Sequence, residues 1–379
     1  MRLIFVSHSQ PTHNRPLANV GGMQRVAIEL LCALRKRAVD NPPQSIDLTA
    51  SWRWIYVRIL PFLFSSYLRL KGKAAKGEID TILFSSMVTA TLTIPLGPFL
   101  KRHDVVTAVI VHGQDVTMPF APYQYIVRRV FAVVDAVLPV SRATADACRK
   151  RGLEEEKVFV VHNGVDTSRF AGPSDPRQMR SDLLGCFGFL AKDLPHDALL
   201  LCSVGRQVRR KGFAWFVDSV MPRLPERVHY WLAGDGPERN AILRKVEARS
   251  LGGRVRLLGK VSDIQLRALY RGSDIFIMPN IPVPGDMEGF GIVMLEAGVN
   301  ALPTVASRLE GITEVIQEGE NGRFVESGDA AGFATVIAAF EQDPAALIEA
   351  KEKALAYTRS TFSWDSIAAR YAEVLSGLS

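Results

Sequence analysis

Residues 274–296 have the sequence Asp-Ile-Phe-Ile-Met-Pro-Asn-Ile-Pro-Val-Pro-Gly-Asp-Met-Glu-Gly-Phe-Gly-Ile-Val-Met-Leu-Glu. The apolar run at its beginning predicts a buried strand, and the prolines at 282 and 284 exclude regular structure from the segment that follows. A helix is predicted to start near Phe290, with Glu288 in the preceding loop and Glu296 about two turns inside the helix. Free backbone N–H groups at a helix start can bind an anion or sugar hydroxyls. Acidic residues are also common in an ordinary first helical turn, so this stretch alone leaves both interpretations open.

The pattern of strand, loop and helix recurs along the whole chain of 379 residues. In the first part, strands are predicted at 2–7, 81–84, 105–111, 133–140 and 158–161. A linker is predicted at 171–197, and further strands follow it at 198–204, 228–233 and 255–258. Strands that alternate with helices predict parallel sheets, and the repeated pattern predicts two α/β units with a cleft between them.

Composition indicates an ordinary globular protein, with 47% apolar and 22% charged residues. The four cysteines lack the spacing of metal ligands, which predicts reduced thiols and a cytosolic protein. No secretory signal is predicted, because the first apolar run extends only from Leu3 to Val6. The uncharged run 81–100 has the length of a membrane span, but its Ser, Thr, Gly and Pro residues favour a buried strand followed by a helix.

Positive charge is concentrated in residues 35–76, which contain nine Lys or Arg and two Asp. Their net charge of +7 equals that of the whole chain, so the remainder is balanced. Aromatic and aliphatic residues accompany these cations at 52–64, a mixture typical of segments that contact anionic lipid. A basic surface helix with a buried apolar face would have the same composition. No nucleic-acid-binding motif accompanies the charge, so no nucleic-acid partner is predicted.

Several predicted strand ends are followed by glycine or histidine. Gly21 and Gly22 precede an amphipathic helix after the first strand, an arrangement that suits a phosphate as well as a plain helix start. His112-Gly113 follows the strand at 105–111, where open α/β sheets place ligand contacts, although a structural histidine would also fit there.

Two cations, Arg206 and Lys211, lie five residues apart in a glycine-flanked loop after the strand at 198–204. Two fixed cations in a predicted cleft suit a diphosphate, which arginine can bind with two hydrogen bonds. A solvated basic loop is the alternative interpretation.

Taken together, these motifs resemble those of the retaining GT-B glycosyltransferases of the large GT4 family. The resemblance extends over nearly the whole chain. It depends on six motifs: Gly21-Gly22, His112-Gly113, Asn163-Gly-Val-Asp166, Gly205-Arg206 with Lys211-Gly212, Gly234-Asp-Gly-Pro237, and Glu288-Gly-Phe-Gly with Glu296. The last matches the family's Glu-x7-Glu signature. The segment from Phe362 to Tyr371 also resembles the family's final helix, which crosses back to the first domain.

This resemblance implies the boundaries and the localisation of the protein. An acceptor-side Rossmann-like domain at 1–185 would be joined by 363–379, and a nucleotide-sugar-binding domain would occupy 195–362. The protein would be cytoplasmic, with residues 35–76 as its candidate contact with the inner face of the membrane. The acceptor would be a glycan or glycolipid.

The resemblance also implies roles for individual residues. Arg206 and Lys211 would hold the donor diphosphate, and His112 would contact the donor sugar near the reacting carbon. Glu288 with the backbone of Gly289, Phe290 and Gly291 would bind the sugar hydroxyls, and Glu296 the ribose. Backbone near Lys260 and Val261 would meet the base, and the glycines at 21, 22, 205 and 234 would allow close approach to the donor.

The chemistry that the resemblance implies is transfer from a UDP- or GDP-linked sugar, with front-face attack through an oxocarbenium-like state. No enzyme nucleophile, cofactor or metal is then expected, because the cations stabilise the leaving diphosphate. The chain contains no Asp-x-Asp motif. A sugar-nucleotide epimerase, a phosphorylase on the same fold, or a non-catalytic sugar-nucleotide- or lipid-binding protein are the alternative functions.

Overall fold

The computed structural model describes residues 1–10, 22–49, 55–167 and 175–378. The chain forms two α/β units, each with its own apolar core. Unit 1 comprises Met1–Asp166, Gly285–Phe290 and Phe362–Ser379, and unit 2 comprises Thr167–Pro284 and Gly291–Thr361. The predicted α/β class, with two parallel sheets, is confirmed.

Unit 1 contains a parallel sheet of five strands in the order β2-β1-β3-β4-β5. Its strands are β1 (Leu3–Gln10), β2 (Gln44–Thr49), β3 (Thr81–Phe84), β4 (Val106–Val111) and β5 (Ala136–Pro139). Its helices are α1 (Gly22–Arg37), α2 (Ile55–Ala75), α3 (Met87–Ala90), α4 (Thr93–Lys101), α5 (Gln114–Thr117), α6 (Ala121–Val133) and α7 (Arg142–Arg149), followed by a 3₁₀ turn at Glu155–Lys157. The strand and helix predicted in the uncharged run 81–100 are confirmed by β3, α3 and α4.

Unit 2 contains a parallel sheet of six strands. They are β6 (Leu199–Val204), β7 (Val228–Ala233), β8 (Val255–Gly259), β9 (Ile275–Met278), β10 (Thr304–Ser307) and β11 (Gly322–Val325), in the order β11-β10-β9-β6-β7-β8. The helices are α8 (Pro176–Phe187), α9 (Phe213–Trp215, continued by π and 3₁₀ turns to Arg223), α10 (Arg239–Ala248), α11 (Asp263–Gly272), α12 (Ile292–Val299), α13 (Ala330–Gln342) and α14 (Pro344–Phe362). Further 3₁₀ turns lie at Ala191–Asp193, Arg209–Lys211 and Glu310–Glu314.

The last helix, α15 (Trp364–Gly377), belongs to unit 1 and packs against α1. Its first residue, Trp364, donates its indole N–H to Glu29 of α1 at 2.6 Å. Gly164 lies beneath the same indole, where an added Cβ would come within 2.7 Å of the ring. A larger residue at 164 would therefore push α15 away from the turn that ends the first part of unit 1.

Three predicted elements differ from the structure. The helix predicted near Phe290 begins at Ile292, so Glu296 is its fifth residue and lies just over one turn inside it. The strand predicted at 133–140 is shorter, because its first residue belongs to α6. Residues 158–161 are hydrogen-bonded to β5 but do not form a regular strand. A single bridge, Val137–Val158, joins this segment to β5.

The structural boundary between the units falls earlier than the predicted one at residue 185. Helix α8 belongs to unit 2 because it packs along α11 and because Arg180 forms an ion pair with Asp274. The segment Gly285–Phe290 is grouped with unit 1, although the residues on both sides of it belong to unit 2. In the part of the chain that the structure describes, no helix is both long and apolar enough to cross a membrane.

Asp274, directly before β9, connects three elements of unit 2. It accepts hydrogen bonds from Leu200 N at 2.9 Å and Lys351 Nζ at 2.8 Å, and it pairs with Arg180. Although burial raises the pKa of Asp274, Lys351 and Arg180 outweigh that effect and lower it. The carboxylate therefore fixes α8 and α14 to the edge of the sheet in its ionised form.

We expect Asp274→Asn to destabilise the protein by about 3–5 kcal/mol, because it leaves two half-buried cations without a counter-charge. Urea denaturation at neutral pH measures this loss. The control is Asp218→Asn, whose partners Lys245 and Arg249 are about half exposed, so that about 1 kcal/mol or less is lost. Equal effects of the two substitutions would contradict a structural role specific to Asp274.

Candidate functional site

The switch point of the unit 1 sheet lies between β1 and β3, because the chain leaves β1 towards β2 on one side and reaches β3 on the other. Open α/β sheets bind ligands at the carboxyl ends of the strands that flank such a point. His8, near the end of β1, places its Nδ1 3.1 Å from the hydroxyl of Ser86, which follows β3. Ser86 is also the N-cap of α3. The two side chains therefore meet across the switch point.

His112 follows the next strand, β4, at the same edge of the sheet. Its Nε2 lies 3.0 Å from the carbonyl oxygen of Ser85, which can only accept, so Nε2 donates this hydrogen bond and Nδ1 is the ring nitrogen left for another partner. Its backbone N–H donates to Asp115 at 2.8 Å, and the pKa of this carboxyl is raised by burial, against the opposing charge of His112. His112 thus has a fixed orientation.

Two histidines are close enough at this edge to influence each other. Burial, with a smaller contribution from the charge of His112, lowers the pKa of His8 from 6.5 to about 4. His8 is therefore neutral at physiological pH.

The loop that contains Glu288 rests on the backbone of His112 and Gly113. A Cβ at Gly289 would lie 1.9 Å from the carbonyl oxygen of His112, and one at Gly113, whose φ is +105°, would lie 3.0 Å from Gly289. Only glycine at both positions permits this approach. Glu288, which is 8% exposed, is thereby held next to the end of β4.

An aromatic group continues this part of unit 1. The ring of Phe290 lies 5.5 Å from that of His162 and 6.1 Å from that of Phe362. Since Phe290 is buried, it anchors the segment 285–290 in unit 1. The predicted role of its backbone in sugar binding stays a prediction.

The switch point of the unit 2 sheet lies between β6 and β9. Lys211, in the 3₁₀ turn after β6, is 5% exposed and directs its Nζ to within 3.9 Å of the sulfur of Met278, the last residue of β9. The next residue, Gly212, has a φ of +66°, and a Cβ there would lie 1.9 Å from the carbonyl oxygen of Pro279. The backbone N–H of Ile281 donates to the carbonyl of Arg210 at 2.9 Å. The loops after β6 and β9 thus hold Lys211 at the switch point.

The glycine loops after β6 and β7 are also in backbone contact. A Cβ at Gly234, whose φ is +125°, would lie 1.9 Å from the carbonyl oxygen of Gly205. The side-chain amide of Gln207 donates to the carbonyl of Gly234 at 3.0 Å. Arg206 lies between these anchored residues and is exposed. Its guanidinium is therefore accessible to an anion, whereas that of a buried arginine would not be.

Lys260 and Val261 lie between β8 and α11, at the carboxyl end of the third strand on this side of the sheet. The carbonyl of Gly259, just before them, accepts a hydrogen bond from Gly234 N at 2.7 Å. Backbone near 260 is thus continuous with the glycine loops, as a base-binding segment would require. That role stays a prediction.

Gly291 has a φ of +89° and caps the N-terminus of α12, and Glu296 is buried inside this helix. One carboxylate oxygen of Glu296 accepts a hydrogen bond from the hydroxyl of Tyr270 at 2.8 Å. Tyr270 is fully buried in α11, so it fixes the orientation of the carboxylate. The two glutamates of the Glu-x7-Glu motif belong to different units.

The structure thus distributes the predicted site residues over two sets. The unit 1 set comprises His112, Glu288, Gly289 and Phe290, and the unit 2 set comprises Arg206, Lys211, Gly205, Gly234, Lys260, Val261, Gly291 and Glu296. Gly22 is the exposed first residue of α1, and Gly21 lies outside the described residues. Among 1–10, 22–49, 55–167 and 175–378, no group of three or more His, Cys, Asp or Glu could hold a metal ion.

Sequence reasoning missed three residues at these sites. They are His8, Ser86 and Tyr270, none of which is among the predicted site residues. The sequence places His8 and Ser86 just after two consecutive predicted strands, which was a usable signal. It does not give the order of the strands in the sheet, which makes β1 and β3 neighbours. Nothing in the sequence indicated that Tyr270 would reach Glu296.

Comparison with known proteins gives matches in both halves of the chain. Residues 20–169 match the model of Glycosyltransferase Family 4, and residues 198–343 match that of Glycosyl transferases group 1. The lipopolysaccharide core biosynthesis glycosyltransferase LpsE of Rhizobium meliloti is 34% identical over 48% of this chain and 51% of its own length. This chain therefore spans about half the length of that relative.

Two further proteins match over most of the chain. The GDP-mannose-dependent alpha-(1-6)-phosphatidylinositol monomannoside mannosyltransferase of Mycolicibacterium smegmatis is 27% identical over 82% of this chain and 79% of its own. The crystal structure of Anabaena Alr3699/HepE in complex with UDP has a TM-score of 0.75 at 19% identity and covers all of both chains. That likeness concerns the fold.

The lowered pKa of His8 predicts a contribution to the pH dependence of stability. As the pH falls below 6.5, the unfolded chain binds a proton at this residue that the native protein does not bind until about pH 4. Stability is therefore lost between these values, by up to about 2 kcal/mol at pH 5. Urea denaturation of wild type and His8→Gln at pH 7.5 and pH 5 measures the difference. An identical loss in both proteins would contradict a neutral, buried His8, and His196→Gln, at an exposed position, is the control.

Proposed function

We propose that this chain, which belongs in both of its halves to the group 1 and family 4 glycosyl transferases and has the GT-B fold, transfers a sugar from a nucleotide-sugar donor to an acceptor of the cell envelope. The observation that supports this most directly is the buried Lys211 at the switch point of unit 2, with the exposed Arg206 five residues before it. Held there, the ammonium group is shielded from water and acts more strongly on a nearby anion.

Lys211 and Arg206 bind the donor diphosphate and stabilise the negative charge that develops on the departing nucleotide. Because both cations are already positioned by glycine loops, no reorganisation is needed as that charge forms. Glu296, oriented by Tyr270, accepts hydrogen bonds from the ribose hydroxyls. Backbone at 259–261 meets the base.

Unit 1 contributes the groups that act on the sugar. Since His112 Nε2 is engaged by a backbone carbonyl, its Nδ1 accepts a hydrogen bond from a sugar hydroxyl. Glu288 binds a second hydroxyl, next to the end of the same strand. These contacts fix the ring while the bond from the anomeric carbon to the diphosphate breaks.

The reaction retains the anomeric configuration and requires no metal ion. The acceptor hydroxyl attacks from the face that the diphosphate leaves, and its proton passes to the departing phosphate oxygen. Arg206 and Lys211 take the place that a divalent cation has in other transferases. No side chain forms a covalent intermediate.

The donor is a UDP- or GDP-linked sugar. One structural neighbour was crystallised with UDP, and the mycobacterial relative is named for its dependence on GDP-mannose. The names of the two curated relatives refer to a lipopolysaccharide core and to a phosphatidylinositol mannoside. By analogy, the acceptor is a glycolipid or envelope glycan, and the protein works in the cytoplasm at the inner face of the membrane.

Thermal unfolding in the presence of UDP, GDP, ADP, dTDP and their common sugar conjugates tests the donor site first. A nucleotide at about 100 times its dissociation constant should add roughly 2.7 kcal/mol of stability. In Lys211→Met we expect this gain to be lost and kcat to fall about 100- to 1000-fold, because one preorganised charge is missing. Lys192→Met, at an exposed position of the same unit, is the control.

A Lys211→Met protein with unaltered binding and transfer would refute the assigned site. Turnover of the nucleotide sugar without an acceptor would instead indicate an epimerase, and consumption of phosphate with an oligosaccharide would indicate a phosphorylase. Binding without turnover on any acceptor extract would indicate a sugar-nucleotide-binding protein.

The stereochemistry and the metal requirement are tested on the product. We expect proton NMR of a transfer from an α-linked donor to show an α-linked product, and activity to persist in excess EDTA. A β-linked product would exclude the retaining pathway. Loss of activity in EDTA that Mg²⁺ or Mn²⁺ restores would show that the two cations are not sufficient.

A further inference from the structure

Helix α2 of unit 1 has two apolar faces. On one side, every fourth residue from Phe62 to Ala74 is buried in unit 1, namely Phe62, Ser66, Leu70 and Ala74. On the other side lie Val57, Leu60, Phe64 and Leu68, spaced three or four residues apart, with 53–71% of each residue exposed. That spacing forms one continuous stripe along the helix. A contiguous exposed apolar stripe is unusual in a protein surrounded only by water.

Helices α4 and α6 extend this surface. The three helices are neighbours in the order α2-α4-α6 and share one core. Gly97 permits the close packing of α4 on α6, since a Cβ there would lie 2.2 Å from a methyl group of Val133. Before and within α6, Met118, Phe120 and Tyr125 are 50–65% exposed. We call the outer surface of α2, α4 and α6 the three-helix face.

The charges of the three-helix face all have one sign. Its helices contain seven Lys or Arg and no Asp or Glu, as their ranges show. Lys73 is paired with Glu78, outside α2, at 3.1 Å. Lys71 lies over the ring of Phe99 in α4 at 5.4 Å, so a cation links the first two helices. By contrast, Arg35 of the basic segment 35–76 is held by Pro43 and Ser45 and does not belong to this face. The segment is therefore not one surface.

Most exposed apolar residues lie towards one end of the face, and most of its cations lie towards the other. In a parallel sheet each connecting helix begins at the carboxyl edge and runs back to the amino edge. The exposed apolar residues lie mostly in the first two thirds of α2 and around the start of α6, close to the carboxyl edge. Six of the seven cations lie in the later turns, namely Arg69, Lys71, Lys73, Lys101, Arg128 and Arg129. The seventh, Arg58, lies in the first turn of α2. The apolar end thus shares the edge that bears His8, Ser86 and His112.

We infer that the three-helix face docks on an anionic lipid bilayer. The apolar end of the face enters the boundary between headgroups and acyl chains, and the cations contact the anionic headgroups. The carboxyl edge of the unit 1 sheet then lies at the membrane surface. This inference deepens the proposed function, on which its last step rests: the acceptor is an amphiphile whose sugar reaches that edge while its lipid stays in the bilayer.

Co-sedimentation with vesicles, without donor or acceptor, tests the docking independently of catalysis. We expect the wild type to bind phosphatidylglycerol vesicles at 50 mM salt, to bind several-fold more weakly at 500 mM, and to bind phosphatidylcholine vesicles poorly. Leu60→Glu with Phe64→Glu, and separately Arg128→Ser with Arg129→Ser, should each lower binding about tenfold or more. Both pairs are exposed, so circular dichroism and melting should change little.

Matched controls use exposed residues of unit 2. Ile348→Glu repeats the apolar-to-acidic change at a residue that is 60% exposed, and Arg177→Ser with Lys192→Ser repeats the loss of two cations. These proteins should bind vesicles as the wild type does. Equal binding by wild type and Leu60→Glu/Phe64→Glu, or no wild-type binding at low salt, would overturn the inference. A wild type that self-associates without lipid, and a double variant that does not, would assign the face to a second copy and also overturn it.

Transfer assays separate this inference from the proposed function. The Leu60→Glu/Phe64→Glu protein should keep its stabilisation by nucleotide and its transfer to a deacylated, water-soluble acceptor, while losing at least tenfold in transfer to the same acceptor in vesicles. Equal loss on both acceptors would overturn the membrane role. A wild type that binds vesicles but transfers to neither acceptor would refute the proposed function and leave the docking surface in place.

Discussion

Close backbone-to-backbone packing between loops at the carboxyl ends of parallel strands is the constraint on which the candidate site depends. At Gly212, Gly234 and Gly289 an added Cβ would lie 1.9 Å from a carbonyl oxygen of the facing loop. No side chain fits at that distance, so a substitution has to separate the loops rather than move a flexible neighbour. The glycines therefore determine where Lys211, Arg206 and Glu288 stand before any ligand is bound.

Both units also place side chains across a gap at the same topological position. In unit 1, His8 and Ser86 meet across the gap between β1 and β3, and in unit 2 Lys211 reaches across the gap between β6 and β9. At each gap the flanking helices leave in opposite directions, which opens a crevice at the strand ends. The chemistry of the two crevices differs, since unit 1 presents neutral, hydrogen-bonding groups and unit 2 presents cations. Under the proposed function, unit 1 would accordingly recognise the sugar hydroxyls and unit 2 the diphosphate.

Sequence patterns predicted the parts of this structure that depend on local information. Apolar strands such as β6 and β7 were predicted because a run of apolar residues is a signal contained within a few positions. The strands β2, β10 and β11 were missed because none of them contains a run of more than two apolar residues. Contacts such as Tyr270 with Glu296 depend on how helices pack, which periodicity does not specify.

The cations of segment 35–76 are close in sequence, but the tertiary structure places them on different surfaces. As a sequence, 35–76 is one basic segment, yet the fold leaves Arg35 hydrogen-bonded to Pro43 and Ser45, near the end of α1, and places Arg69 on the outside of α2. Residues far outside the segment, including Tyr125 and Arg129, complete the surface on which α2 lies. Helices that connect parallel strands all start at the same edge of the sheet. Exposed apolar residues in the first turns of these helices therefore lie at one side of the unit. The polarity of that face is thus a consequence of the parallel sheet itself, and it brings the apolar surface to the edge where the histidines stand.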